Sequence, residues 1–322
     1  MKERIKWIDV AKGYGIILVI YGHVATDIFA TWLYTFHVPL FFFLSGYFFN
    51  PDKKPKEFLY SKSKGLLLPY LTLGFPLFLI NLYFGFNPTD LIMSYAIQQR
   101  ASTLWFIAAL FMQFIIAYTL YKTIQKTAVR WIFILSLSTV ALILWHHNIP
   151  SLPWNIDVSM VTLPFFCLGH DLREKVWFKK ILNCEHSIIY IAAFLIFSII
   201  GTFIMYSLSK PTVDLFASHF SFEPLAYITA FAGIMAICLI ANKWYSRLLS
   251  YIGRNSLVYF VWQQDIAIIS LTLIMKKLHF LENISGVAIY FKNILIVILS
   301  LIILTILNEI IIKTRLKIIL GK

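Results

Sequence analysis

Charged residues are scarce in this chain of 322 residues: they make up 13% of the sequence, whereas 60% of it is hydrophobic. A soluble domain of this size could not bury so much apolar surface, so a bilayer must cover the remainder. The sequence also lacks low-complexity tracts and any hydrophilic stretch long enough for a soluble domain. We therefore expect residues 1–322 to form one transmembrane domain without a soluble accessory domain.

Cysteine is rare as well, and the chain contains three such residues: Cys167, Cys184 and Cys238. An odd number of cysteines at wide spacing does not make a disulfide framework, and this spacing is unlike that of metal ligands. We therefore predict neither a disulfide network nor a metal site. The cysteines are expected to be small apolar core residues.

Long apolar runs recur from one end of the chain to the other. A helix needs about 20 apolar residues to cross the hydrocarbon layer of a bilayer at a rise of about 1.5 Å per residue. The sequence predicts an all-α membrane protein, a bundle of about ten transmembrane helices. The runs lie near residues 7–29, 31–49, 65–85, 104–121, 131–148, 155–170, 185–208, 222–241, 250–274 and 286–311.

Lysine and arginine are distributed unevenly around these runs. Most of the 28 basic residues fall in the two terminal segments and in every second connection. Cationic segments are retained on the cytoplasmic side, so both termini are predicted to be cytoplasmic. The net charge of +13 follows from this pattern and suits anionic membrane lipids, so it indicates no nucleic-acid partner. The expected location is the cell (inner or plasma) membrane, with several crossings.

The first two predicted spans carry the densest group of intramembrane polar residues. Ionisable side chains are costly inside a bilayer, so each of them is a candidate functional residue. Lys12 and His23 are eleven residues apart and therefore share one helix face, separated by about 16 Å along the axis. The group consists of Asp9, Lys12, His23, His37 and Ser45.

His23 and His37 lie at equal distances from the centre of the turn between the two spans, which predicts similar depths in the membrane. Two imidazoles at one depth suit a general base and an orienting partner. Lys12 lies near the cytoplasmic end of the first predicted span, where its positive charge suits a cosubstrate that carries phosphate. The alternative is that the histidines hydrogen-bond other helices and that Lys12 neutralises Asp9.

Other polar and aromatic groups allow two interpretations each. The run of residues 263–265 (Gln263, Gln264, Asp265) lies midway along the ninth predicted span, where interhelical hydrogen bonding is the ordinary role. Trp105 lines a pocket or belongs to an interfacial aromatic belt. The basic residues between Lys53 and Lys64 clamp phosphates or anchor an inner loop.

Several motifs resemble those of the acyltransferase 3 family in order along almost the whole chain. A basic residue, ten intervening residues and a histidine form the first-helix signature, here Lys12 and His23. Lysine in place of the more common arginine fits the branch that resembles fucose O-acetyltransferases. Many members carry a histidine where this chain has Gln263, so no base is expected there. The other matching segments are residues 36–46, 66–70, 104–106, 164–169 and 252–257.

The resemblance implies an acyltransferase that moves an acetyl group from acetyl-CoA to a hydroxyl of a carbohydrate in a cell-envelope glycan or its precursor. Acetyl-CoA would be a cosubstrate rather than a bound cofactor, and a carbohydrate or lipid-linked sugar would be the acceptor. His23, His37 and Asp9 would form the catalytic group. The residues that would contact acetyl-CoA are Lys12, Lys62, Lys64, Ser45 and Trp105.

A different class of function remains open on the sequence alone. The same intramembrane polar residues could line the pathway of an exporter or flippase for a glycan or small metabolite. Inverted repeats and helices broken by glycine or proline would favour transport, and no repeat is detectable. Loss of activity on replacing His23, with the protein still inserted, would favour the enzyme.

Overall fold

The computed structural model describes residues 5–209, 213–279 and 286–314, together with residues 317 and 320. Most of these residues are helical, in agreement with the predicted all-α class. The α-helices are α1 (Lys6–Val24), α2 (Ile28–Tyr47), α3 (Pro55–Lys62), α4 (Leu68–Tyr83), α5 (Pro88–Ile97), α6 (Trp105–Thr123), α7 (Thr127–His146), α8 (Ile156–Leu172), α9 (Val176–Leu182), α10 (Ser187–Leu208), α11 (Glu223–Lys243), α12 (Arg247–Arg254), α13 (Ser256–Trp262), α14 (Ile269–Lys277) and α15 (Ala288–Lys313).

Four shorter features lie between these helices. Two segments are π-helical: Ser63–Leu67 joins α3 to α4, and Gln263–Ile268 joins α13 to α14. A single 3₁₀ turn, Pro153–Asn155, precedes α8. A small antiparallel hairpin is formed by β1 (Val213–Asp214) and β2 (His219–Phe220).

Each of the ten predicted spans coincides with a helix or with a run of consecutive helices. Within the described residues, eight helices are long and apolar enough to cross a membrane. The first and sixth predicted spans, α1 and α8, are not among these eight. The count of ten and the cytoplasmic termini therefore stay predictions, and residues 1–4 and most residues after 314 lie outside the described ranges.

The outer helices of the bundle present their apolar side chains outwards. Large hydrophobic residues on α4, α7, α10 and α15 are about half exposed or more, for example Phe75, Ile132, Phe203 and Ile298. Apolar exposure on this scale is unfavourable in water and suits the hydrocarbon of a bilayer. The periphery therefore agrees with a multi-pass membrane protein.

Helices α1 and α2 lie at the centre of the bundle. α1 contacts α2, α11, α12 and α15, and α2 contacts α8, α10 and α11 as well. Aromatic residues of α2 fill the space between these helices, with Phe36, Phe42 and Phe43 fully buried. Polar side chains on the buried faces of α1 and α2 are therefore held inside the protein rather than in lipid.

Two close helix crossings involve glycine on both sides. A Cβ atom at Gly253 of α12 would collide with the carbonyl oxygen of Asp9 in α1, and one at Gly13 would collide with that of Leu249. The α2–α8 crossing has the same form at Gly46 and Gly169. Small residues allow helix backbones to touch in membranes, where association depends on close packing.

The hairpin is held by a buried ion pair. Arg100, which precedes α6, donates to the Asp157 carboxylate at 2.6 Å, and the two side chains are 8% and 2% exposed. Arg100 also donates to the carbonyl oxygen of Phe216 at 3.0 Å and to Ser218 Oγ at 2.7 Å. Trp145 Nε1 donates to the same carboxylate at 2.7 Å. These bonds fix the hairpin against the ends of α6, α7 and α8.

Replacing Gly253 by alanine should destabilise the protein by about 3 kcal/mol, because the added methyl group meets a backbone carbonyl that cannot move alone. The thermal midpoint of the purified protein in detergent would measure this effect. Gly65→Ala is the matched control, since no atom lies within 4 Å of a Cβ atom there. Equal midpoints for the two variants would contradict the close crossing.

Removing one member of the Arg100–Asp157 pair should cost about 3 to 5 kcal/mol, because the other charge stays buried without its partner. Arg100→Met and Asp157→Leu are each expected to expose the hairpin to added protease. The double variant should resist the protease at least as long as either single variant. Additive losses in proteolytic half-life would show that the two side chains act independently.

Candidate active site

Helix α1 carries two polar positions that open into different cavities. Lys12 lies near its beginning and His23 near its end, about 16 Å apart along the axis. His23 borders one cavity and Lys12 borders another. We call these the outer and the inner cavity, after the predicted orientation. The helix face that Lys12 and His23 were predicted to share is therefore divided between two cavities.

The outer cavity has a volume of about 250 Å³. It is bordered by residues from α1, α2, α6, α13, the second π-helical segment and the hairpin. The His23 side chain is exposed to it, whereas His37 is almost fully buried. Its polar lining consists of His23, Tyr34, His37, Ser102, Thr103, Asp214, Gln263, Gln264 and Asp265.

The two histidines are brought together as predicted, but a tyrosine lies between them. The ring of Tyr34 makes edge-to-face contacts with His37 at 5.0 Å and with His23 at 6.5 Å between centroids. Among the described residues, no hydrogen bond joins the two imidazoles. His37 therefore contacts His23 through Tyr34, which the sequence analysis did not single out.

The tautomer of His37 follows from its hydrogen bond. Its Nδ1 lies 2.6 Å from the carbonyl oxygen of Leu33, one turn earlier in α2. A carbonyl oxygen can only accept a hydrogen bond, so Nδ1 carries the proton, and Nε2 of the neutral ring keeps its lone pair. α2 thus holds His37 in one defined state.

The carboxylate near the imidazoles is Asp214, rather than the predicted Asp9. Asp214 borders the outer cavity and interacts electrostatically with His23. Its Oδ1 accepts hydrogen bonds from the backbone N–H groups of Phe216 and Ala217, both at 3.0 Å, which fixes the hairpin turn. Because Asp214 lies almost two hundred residues from His23 in sequence, helix periodicity gave no signal for it.

Asp9 lies at the other end of α1, about 21 Å from His23 along the axis. It borders a small recess together with Lys12, Arg254 and Asn255. Asp9 therefore does not contact the histidines, because almost four helical turns separate them. The prediction that Asp9 joins His23 and His37 in one catalytic group is not supported by this geometry.

The inner cavity has a volume of about 280 Å³ and contains three of the residues predicted to contact acetyl-CoA. They are Lys12 from α1, Ser45 from α2 and Lys62 from α3. The Lys62 Nζ atom lies 3.3 Å from the centroid of the Phe114 ring, and Lys12 Nζ lies 5.7 Å from that of Phe48. Aromatic faces stabilise both cations within the cavity.

The other two predicted contacts lie elsewhere. Trp105 borders the outer cavity, on the side of the histidines. Lys64 is exposed and is not part of the described lining of either cavity. Lys64 follows Lys62 by two residues, and side chains two apart in a helix do not face the same side. The five residues thus form an inner group of three and two separate positions.

Three phenylalanine rings separate the two cavities. The ring centroids of Phe106 and Phe260 are 4.3 Å apart, and Phe41 lies 5.9 Å from each of them. Phe260 borders both cavities, whereas Phe41 and Phe106 border the inner one. We call these residues the aromatic wall.

Each π-helical segment in the described part of the chain borders one cavity. Gly65 and Leu66 of the first segment line the inner cavity, and Gln263 of the second lines the outer one. π-helical turns are rare and occur frequently at functional sites. The hydrogen-bonding role considered for Gln263 is absent, since neither of its amide atoms has a partner among the described residues. By contrast, Asn308 and Glu309 do bond Tyr251 of another helix.

Similarity to other proteins extends over most of the chain. The chain is 30% identical over 192 residues to the nodulation protein NolL of Mesorhizobium japonicum, an alignment that covers 53% of this chain and 48% of that protein. The matched region is therefore about half the length of this relative. No solved structure matches the chain. The sequence model of the acyltransferase domain matches residues 5–311, so the chain belongs to the acyltransferase 3 family.

Proposed function

We propose that this membrane acyltransferase moves an acetyl group from acetyl-CoA to a hydroxyl group of a carbohydrate in a cell-envelope glycan or its precursor. The observation that carries the proposal is the pair of cavities along α1. One is bordered by lysines and the other by histidines, and Phe260 of the aromatic wall borders both. Such a pair suits a phosphate-bearing donor and a hydroxyl acceptor that meet at one wall.

The donor enters the inner cavity in this proposal. Lys12 and Lys62 bind the phosphates of acetyl-CoA, because ammonium groups are favourable partners of phosphate oxygens. The pantetheine arm extends along the cavity past Ser45 towards the aromatic wall. It carries the thioester past the edge of Phe260, which borders both cavities, so that the thioester reaches the acceptor in the outer cavity. Acetyl-CoA is consumed as a cosubstrate and does not stay bound.

The acceptor occupies the outer cavity, and His23 acts as the general base. His23 takes the proton from the acceptor hydroxyl while its oxygen attacks the thioester carbon. The tetrahedral intermediate collapses, the C–S bond breaks, and the CoA thiolate takes the proton back from His23. The negative charge of Asp214 stabilises the imidazolium that forms in between. His37, with its defined tautomer, holds Tyr34 against His23.

A carbohydrate acceptor is supported by the polar groups of the outer cavity. Amide, hydroxyl and carboxylate side chains border it, and such groups exchange hydrogen bonds with sugar hydroxyls. Because the lysines border the inner cavity, acetyl-CoA arrives from the cytoplasm in this proposal. The protein itself lies in the inner or plasma membrane of the cell. The acceptor is then a sugar or a lipid-linked sugar on the other side of the wall.

His23→Gln should lower kcat by about 10²- to 10⁴-fold, because the hydroxyl loses its proton acceptor. The affinity for acetyl-CoA should not change, since the phosphates bind at the other end of α1. Release of free CoA by the purified protein in lipid nanodiscs, with a panel of sugar acceptors, measures the effect. His147→Gln, at an exposed position after α7, is the matched control. Full turnover by His23→Gln would contradict the role of the base.

Lys12→Gln and Lys62→Gln should each raise the KM for acetyl-CoA about tenfold, because each removes a charge-assisted hydrogen bond to phosphate. Lys64→Gln, the same change at an exposed position outside the inner cavity, should leave KM unaltered. A similar increase in all three variants would instead indicate general attraction by a basic loop.

Movement of a sugar across the membrane without release of CoA would favour the exporter. The same nanodisc protein, reconstituted into liposomes that contain labelled glycan, allows this measurement. In the proposed enzyme, glycan efflux is absent and acetyl transfer depends on His23.

A further inference from the structure

Gln263 is a buried amide that faces the outer cavity. Its side chain is 1% exposed, and neither its nitrogen nor its oxygen has a hydrogen-bond partner among the described residues. Burying an amide group costs free energy unless its nitrogen and oxygen form hydrogen bonds. Because Gln263 borders the cavity, a bound molecule can supply the missing partners.

The backbone around Gln263 is also unusual. The π-helical segment Gln263–Ile268 begins at this residue and widens the helix between α13 and α14. As a result, three consecutive residues, Gln263, Gln264 and Asp265, border the same cavity. The widened turn therefore brings an amide and a carboxylate to one side of the space that the acceptor would fill.

A second buried glutamine provides a comparison. Gln113 of α6 is fully buried, and its Oε1 accepts a hydrogen bond from Thr162 Oγ1 at 3.1 Å, whereas its Nε2 has no partner among the described residues. Gln113 borders neither the outer nor the inner cavity. It joins two helices, which is the ordinary role of a buried amide in a membrane protein. Gln263 makes no such bond in the described part of the chain.

The charges of the outer cavity have one sign. Asp214 and Asp265 border it from opposite elements, the hairpin and the π-helical segment. None of the described residues that line this cavity is lysine or arginine. A carboxylate or phosphate on the bound ring would therefore meet like charges without a compensating cation. Hydroxyl groups, in contrast, can donate hydrogen bonds to both carboxylates.

We propose that the outer cavity binds an uncharged sugar ring of the acceptor and that the Gln263 amide holds it by two hydrogen bonds. Nε2 donates to one ring hydroxyl oxygen, and Oε1 accepts from a hydroxyl of the same ring. Asp214 and Asp265 exclude rings that carry a carboxylate or phosphate. This inference rests on the proposed function, since it names the class of carbohydrate that the transferase accepts.

Binding of simple glycosides tests the proposal without any transfer step. Saturation-transfer difference NMR on the nanodisc protein would compare methyl glucoside with methyl glucuronoside, and methyl galactoside with methyl galacturonoside. The members of each pair differ at C6, where a carboxylate replaces a hydroxymethyl group. We expect the neutral glycosides to bind at least about tenfold more tightly than the uronides, and Asp265→Asn to reduce that ratio.

The role of Gln263 is tested by Gln263→Leu, with Gln113→Leu as the matched control. Gln263→Leu should weaken binding of the neutral glycosides about tenfold, while Gln113→Leu should not change it. The thermal midpoint of Gln263→Leu should not fall, because an apolar group of similar size replaces an unbonded amide. A purely structural role would give the reverse: a lower midpoint with unchanged glycoside binding.

Several outcomes would overturn the proposal. Uronides that bind as well as neutral glycosides would refute the selection by charge, and no binding of either neutral glycoside would refute the sugar site. A raised KM for acetyl-CoA in Gln263→Leu, with glycoside binding intact, would assign the amide to the pantetheine arm instead. Neutral glycosides that bind while acetyl-CoA releases no CoA would contradict the proposed function alone.

Discussion

Direct backbone contact at two glycine crossings is the constraint on which the rest of the structure depends. Gly13 and Gly253 bring α1 against α12, and Gly46 and Gly169 bring α2 against α8. No side chain separates the helices there, so α1 and α2 have one possible rotation relative to their neighbours. That rotation directs Lys12 and His23 inwards and leaves lipid contact to the outer helices.

Features that depend on one regular helix, or on two helices joined by a short turn, could be predicted from the sequence. The shared face of Lys12 and His23 needs only the period of an α-helix. The equal depth of His23 and His37 needs only a turn at its expected place, and both residues border the outer cavity. The all-α class could also be predicted, because it follows from composition. The number of membrane crossings depends in addition on where the bilayer lies along the helices.

Features that depend on distant parts of the chain, or on a departure from helical period, could not be predicted. Asp214 lies near His23 because the Arg100–Asp157 ion pair fixes the hairpin. No local sequence pattern predicts this ion pair. The assignment of Asp9 to the histidines is a different kind of error, because its position in the same helix already places it about 21 Å from His23 along the axis. The second π-helical segment begins at Gln263, and the usual rotation of 100° per residue does not describe which of its residues border the outer cavity.

The aromatic wall has a consequence for permeability. Two polar cavities in line along one bundle would form a pore if they were connected. The packed rings of Phe41, Phe106 and Phe260 offer an ion no ligand in exchange for its hydration water. An ion in either cavity therefore meets a high energy barrier at this layer. The protein can hold polar groups on both sides of the bilayer centre while the membrane keeps its electrical potential and its proton gradient.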